Sequence, residues 1–330
     1  MRVGIADRRR YHRKEVKSGE RRRFPDPHRV QSATIEDYVA AIPVSRGDVP
    51  GSVSSPCWTE FEHAMDESVV VDLDWLADAR EDPEVRLVDV RDAWEYDGIG
   101  HIPGAVNIPF DSYRDDTDID RGTLPGVDPF ADLLSTAGIS PEDTIVAYDD
   151  THGVFAARLY LTALEYGHDD VRLLDGDFSA WNLEYETTSN EPSVEPTAYD
   201  PAPLDPDESP LVNLSAVEDA IERDALLVDT REQDEFEDAR LPGAVRFDWR
   251  EAVDDETRSL LPADELEALL EEYDITRDRE IVLYCNTARR ISHTYVVLRA
   301  LGYEDVSVYE GSLAEWLAMD GEVESGPVEQ

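Results

Sequence analysis

Of the two cysteines in the 330-residue chain, Cys285 has the setting for nucleophilic chemistry. It follows a short apolar run, Ile281 to Tyr284, and precedes Asn286, Thr287, Ala288, Arg289 and Arg290. The run has the length and β-branched character of a buried strand. Beyond the loop, Ile291, Tyr295 and Leu298 recur at the spacing of one helix face, and Gly302 stands where a helix commonly stops. Cys285 is thereby brought to the first turn of a helix, where unpaired backbone N–H groups and the positive end of the dipole favour negative charge. Two guanidinium groups within five residues act the same way, so a sulfur held there is expected to be nucleophilic. The plain alternative, a small apolar core residue, leaves the paired arginines unexplained.

The loop length narrows the chemistry. A cysteine that attacks phosphorus needs an Arg six residues on, in a loop wide enough to wrap a tetrahedral phosphate. Here that position is Ile291, and the Arg falls one residue earlier as Arg290. The strand, the six-residue loop from Cys285 to Arg290 and the helix ISHTYVVLRALGY resemble the active-site segment of the rhodaneses, a family of sulfurtransferases.

Composition bounds the remainder. The length suits two ordinary domains. The net charge of −46 is uneven: residues 1 to 30 carry 11 Lys+Arg against 4 Asp+Glu, which leaves −53 for the rest. Both lysines, Lys14 and Lys17, lie in that head. A surface of Asp and Glu with Arg but no Lys is read as the composition of a salt-loving organism, because hydration and solubility then survive molar salt. With 41% hydrophobic residues in periodic blocks, the chain is not an acidic disordered protein. Nucleic acid is excluded as an expected partner, since no basic stripe follows residue 30. No membrane span is expected, as no run approaches about 18 apolar residues. RRRFPDPH (21 to 28) begins like a twin-arginine signal but lacks the apolar region, so export is rejected. Cys57 and Cys285 lie in regions of different character and are not expected to pair, which fits a cytoplasmic protein.

Along the chain, residues 1–66 show no sustained periodicity and read as a disordered basic head, with Met65 a candidate start and Cys57 given no role. From 67, strands (86–91, 143–149, 171–176) alternate with helices (72–80, 154–167, from 178), which argues an α/β fold with a parallel sheet covered on both faces. Residues 185–210 hold six prolines and read as an extended, poorly packed linker. The pattern then returns: LVDVR (87–91) as LVDTR (227–231), HIPGAV (101–106) as RLPGAV (240–245), TIVAYD (144–149) as EIVLYC (280–285), DGDFSAW (175–181) as EGSLAEW (310–316). The offsets drift only from 140 to 135, so one domain is present twice, as 67–184 and 211–320, with a tail over 321–330.

These blocks also resemble rhodanese signatures, so the resemblance covers about residues 70 to 320 and implies two tandem rhodanese-like domains. The Arg after each strand is read as pairing with the following carboxylate, Arg91 with Glu95 and Arg231 with Glu235, as scaffold. Asp149 falls where the second copy has Cys285. A carboxylate cannot carry a sulfane sulfur, so the first domain is expected to be silent, as in tandem members of the family.

The resemblance implies transfer of the outer sulfur of thiosulfate to cyanide or a thiol through a persulfide on Cys285, with no metal and no cofactor. Backbone N–H groups of residues 286 to 290, those of Asn286, Thr287 and Ala288 among them, would stabilise the persulfide. Arg289 or Arg290 would hold the sulfonate, one of them being equally readable as a structural charge. Arg158 matches a substrate-contacting Arg of tandem rhodaneses, or is a helix-surface Arg. His152 and His293 are given no acid-base role. The loop has the charge of thiosulfate-using members but not their usual residue order, so 3-mercaptopyruvate stays open as donor, as does a sulfur carrier or redox sensor with little turnover. A monomer acting on a small anionic donor is expected.

Overall fold

The apolar runs pair side by side, all parallel, in two sheets of one plan. The computed structural model describes residues 64–115, 123–286 and 288–328. In the first domain, β1 (Val70–Val71), β2 (Val85–Asp89), β3 (Val106–Asn107), β4 (Thr144–Tyr148) and β5 (Val171–Leu174) lie in the order β1-β5-β4-β2-β3. The helices between them are α1 (Leu73–Ala79), α2 (Ala93–Gly98), α3 (Val127–Thr136), α4 (Ala156–Glu165) and α5 (Phe178–Glu184). In the second domain, β6 (Leu211–Val212), β7 (Leu226–Asp229), β8 (Val245–Arg246), β11 (Ile281–Tyr284) and β12 (Val306–Tyr309) repeat the order as β6-β12-β11-β7-β8. Its helices are α6 (Leu214–Glu222), α7 (Gln233–Asp238), α8 (Ala263–Glu272), α9 (Arg289–Ala300) and α10 (Ser312–Ala318). An antiparallel hairpin, β9 (Val253–Asp254) with β10 (Ser259–Leu260), is added outside that sheet.

Parallel pairing requires long crossovers, and burial on both faces follows. Ile145 and Ala147 of β4 enter one apolar cluster, Val146 and Tyr148 the other. Along β11, Ile281 and Leu283 alternate likewise with Val282 and Tyr284. One cluster runs through both domains, because α4 and α9 pack on each other. Residues 156–163 of α4 and 291–298 of α9 are buried without interruption, as an interior helix requires. Arg258, in the hairpin turn, adds a clamp by reaching Asp177 of the first domain at 2.5 Å.

The Pro-rich stretch is extended and mostly exposed, as read, but it is pinned to the first domain at several points. Thr188 bridges His101, the Thr197 N–H donates to Ser135 O at 3.0 Å, and buried Tyr199 meets His168 Nδ1 at 2.9 Å. Its backbone groups find partners on the first domain, and Tyr199 joins the shared apolar cluster. Residues 64–66, read as part of the head, are also engaged: the Asp66 N–H donates to Ala300 O at 2.8 Å, and Met65 packs on the shared cluster. The remainder of the head, with Lys14, Lys17 and Cys57, lies outside the described residues.

Candidate active site

Cys285 directly follows β11, the central strand of its sheet. The carboxyl end of such a strand, where the chain order reverses, is where open α/β sheets bind ligands. The side chain is 1% exposed. Ala288 takes a left-handed conformation, φ 65°, which turns the chain sharply into α9. The Ser292 hydroxyl donates to Ala288 O at 3.0 Å and holds that turn. Asn286 is exposed, Ala288 is buried, and Thr287 lies outside the described residues.

Ser312, at the start of α10, is a site residue to which sequence reasoning gave no role. Its Oγ accepts the Cys285 N–H at 3.2 Å and lies 3.9 Å from Cys285 Sγ. The hydroxyl is also placed to donate to Tyr309 O at 2.9 Å, which fixes its position. The signal was present, because the repeat sets EGSLAEW against DGDFSAW and so marks Ser312 as the departure from Asp177.

The two loop arginines have different fates. Arg290 forms a two-point pair with Glu235, at 2.5 and 2.9 Å, that ties the loop to α7. Burial works against its charge, but Glu235 and the Cys285 sulfur outweigh that and raise its pKa. The same pair holds the Glu235 carboxyl below its usual range. Arg289 has no carboxylate partner among the described residues; its guanidinium lies 5.7 Å above the Phe155 ring of the first domain. Burial lowers its pKa, the Cys285 sulfur opposes this, and repulsion from Arg290 and Arg114 adds to the lowering.

Three pairings differ from the sequence reading. Arg91 bonds Asp89 at 2.5 Å and Gly100 O at 2.7 Å, not Glu95. Arg231 bonds Asp229 and Ala239 O, both at 2.6 Å, not Glu235. The nearer acid wins because it sits two residues back at the end of the same strand, leaving Glu95 and Glu235 to cap their helices. Arg158 is neither in the cavity nor on a helix surface. It is fully buried and pairs at 2.5 Å with Glu310, two residues before Ser312. The domain packing requires this, since α4 faces α9 and carries Arg158 into the interface.

The first copy shows what the loop does with an anion. Asp149 is buried and accepts backbone N–H bonds from Thr151, Gly153, Phe155 and Ala156 at 2.7, 2.8, 2.7 and 3.0 Å. Burial pushes its carboxyl up, and those four donors pull against it. At the repeat offset of 136, the donors correspond to residues 287, 289, 291 and 292. Of the residues expected to donate, 286 to 290, this correspondence includes 287 and 289.

Between the domains, beside Arg289, opens a cavity of about 280 Å³ whose first-domain wall includes Phe110, Phe155, Arg91 and Arg114 and five carboxylates, those of Asp92, Glu95, Asp111, Asp149 and Asp150. A larger groove of about 460 Å³ around Phe236 and Tyr273 has no residue of the Cys285 loop in its wall. No described helix is long and apolar enough to cross a membrane.

The rhodanese-like domain family matches twice, over residues 72–184 and 213–319. The sulfur carrier protein TtuD of Thermus thermophilus is 34% identical over 75% of this chain and 93% of its own. A putative thiosulfate sulfurtransferase of Saccharopolyspora erythraea is 34% identical, over 80% of this chain and 98% of its own. Among solved structures, the 3-mercaptopyruvate sulfurtransferase SseA of Escherichia coli aligns with TM-score 0.65 and 26% identity, over 74% of this chain and 98% of its own. With a cysteine-bearing loop in one copy, a caged carboxylate in the other and matches of this extent, the chain belongs to the rhodanese-like family as a sulfurtransferase of two tandem domains.

Proposed function

We propose that this protein moves the outer sulfur of thiosulfate to cyanide or a thiol through a persulfide on Cys285. The observation that carries the reading is the placement of Cys285, at the end of β11, together with Arg289, the loop guanidinium that no carboxylate among the described residues claims. Arg289 receives the sulfonate oxygens. The Cys285 sulfur attacks the outer sulfur of thiosulfate, the bond to the sulfonate breaks, and sulfite leaves with the electron pair. The terminal sulfur of the resulting persulfide is anionic. It takes the place that Asp149 occupies in the first copy, facing backbone N–H groups of the loop. Cyanide then attacks that sulfur, thiocyanate departs, and the electron pair returns to Cys285. Arg290 is a positioning residue, since Glu235 already holds both ends of its fork. A monomeric enzyme of a reducing compartment such as the cytoplasm fits a working thiol.

A second donor, 3-mercaptopyruvate, is favoured by the size of the cavity beside Arg289, which exceeds what thiosulfate needs. Steady-state rates with each donor decide between them. A carrier would load one sulfur and turn over poorly with cyanide. Cys285→Ser, nearly isosteric, is expected to abolish thiocyanate formation with the fold intact by circular dichroism. Retained activity in the purified variant would remove Cys285 from the reaction.

A further inference from the structure

Arg258 stands in the turn between β9 and β10 with φ 64°, a left-handed conformation that a side chain resists. Its guanidinium leaves the second domain and lies on the loop of the silent copy. Nε and one terminal nitrogen fork onto Asp177 at 2.7 and 2.5 Å, and the same terminal nitrogen donates to Asp150 O at 3.2 Å and Oδ1 at 3.4 Å. Two residues on, the Leu260 N–H donates to Asp175 Oδ1 at 2.7 Å. The repeat sets Asp177 against Ser312. The position that lies beside Cys285 in the second copy is thus, in the first, the seat of a cation from the other domain. Asp149, Asp150 and Asp177 converge there, and Arg258 faces all three. Burial pushes the Asp177 carboxyl up, but the Arg258 bond outweighs it and brings it below its usual range. Arg91, the first domain's own cation nearby, is committed to Asp89. Without Arg258 the three carboxylates repel one another, and the loop that carries two of them is pushed outward. Phe155 belongs to that loop, and the Arg289 guanidinium lies 5.7 Å above its ring. A circuit closes: the hairpin of the second domain holds the loop of the first, and that loop holds Arg289 of the second.

We infer that Arg258 is a positioning residue for the first half of the reaction: by clamping the silent loop it sets Phe155, and through Phe155 the place of Arg289, the group that receives the sulfonate. The inference rests on the thiosulfate reading above. Arg258 itself makes no bond to substrate, since its fork is spent on Asp177 and Asp150. The silent copy thereby has a task, because its loop is the socket through which the first domain is locked to the Cys285 loop.

The test uses the full chain. In a ping-pong reaction, kcat/KM for thiosulfate reports only the loading of Cys285, and kcat/KM for cyanide only its discharge. In Arg258→Gln the constant for thiosulfate should fall about fivefold, the size of a coupling passed through a packed network, while that for cyanide stays unchanged. Arg258→Lys, which keeps the charge but not the fork, should recover part of the loss. Phe155→Leu should show a similar loss, and the double variant no more than the greater single loss, because both act by one route. A loosened fold would instead lower both constants together by reducing the active fraction, which thermal melts report separately. Equal falls in the two constants, no fall in that for thiosulfate, or losses that multiply in the double variant would each overturn the inference. Arg289→Gln is measured alongside. If it leaves the thiosulfate constant intact, the donor reading fails and takes the inference with it; if it lowers that constant while Arg258→Gln does not, the inference alone fails.

Discussion

His293 shows how one buried side chain ties stability to pH. It is fully buried, packs edge to face on Trp249 with ring centroids 5.0 Å apart, and finds no hydrogen-bond partner among the described residues for either ring nitrogen. Burial pushes its pKa down to about 4 from 6.5, and the nearby backbone of His152 only weakly opposes this. The unfolded chain accepts a proton that the folded one refuses. Stability present above pH 6.5 is therefore lost as pH falls through 6.5 toward about 4, roughly 3 kcal/mol in full and roughly 2 by pH 5. Asp175 works in the opposite sense, because burial raises its carboxyl to about 6 from 3.8 and stability rises as pH falls through that range. Urea unfolding of wild type and His293→Gln at about pH 7.5 and about pH 5 separates the two. The wild type should lose about 2 kcal/mol more than the variant between those conditions, and equal losses would reject the assignment. At this scale the placement of Cys285 between β11 and α9, with two arginines beside it, was legible, because strand, loop and helix are contiguous in sequence. The bond between Ser312 and Cys285 and the Arg158–Glu310 pair were not, since those partners arrive only when separate strands and domains meet.

Among the elements, the linker's role rests on two glycines that the repeat makes equivalent. Gly167 and Gly302 follow the last turns of α4 and α9 with φ of 80° and 81°, the left-handed closure that a side chain resists. A Cβ on Gly302 would meet nothing within 4 Å, whereas one on Gly167 would stand 1.8 Å from Ala202 O of the linker. Gly302→Ala should therefore cost only the backbone strain, about 1 kcal/mol, and Gly167→Ala distinctly more, because the linker must lift from α4. Chemical denaturation of the pair measures the difference, and equal costs would mean that the linker contributes nothing by packing there. The helices and central strands were readable from period and punctuation, down to the stop at Gly302. The linker's packing was not, since proline content reports an extended backbone and is silent about the surface on which it lies.

For the whole molecule, charge is expected to set the conditions of folding. Beyond residue 30 the chain carries 72 acidic against 19 basic residues, and at low ionic strength their repulsion reaches about 30 Å, against about 3 Å in molar salt. The thermal midpoint and the activity should rise together as KCl is increased from about 0.05 to about 3 M. A flat response would contradict the halophilic reading of the composition. The repeat made the two-domain plan legible at this scale, whereas the apolar cluster shared through α4 and α9 could be seen only once the domains were placed together. The central claim, that Cys285 alone carries the sulfur, is tested most directly by intact-mass and peptide-mass measurement of the full chain after thiosulfate with no acceptor present. One sulfur per chain is predicted, on the Cys285 peptide and matched by one sulfite released, with Cys57 unmodified and the added mass removed by cyanide. A chain of unchanged mass, or sulfur found on Cys57, would contradict it.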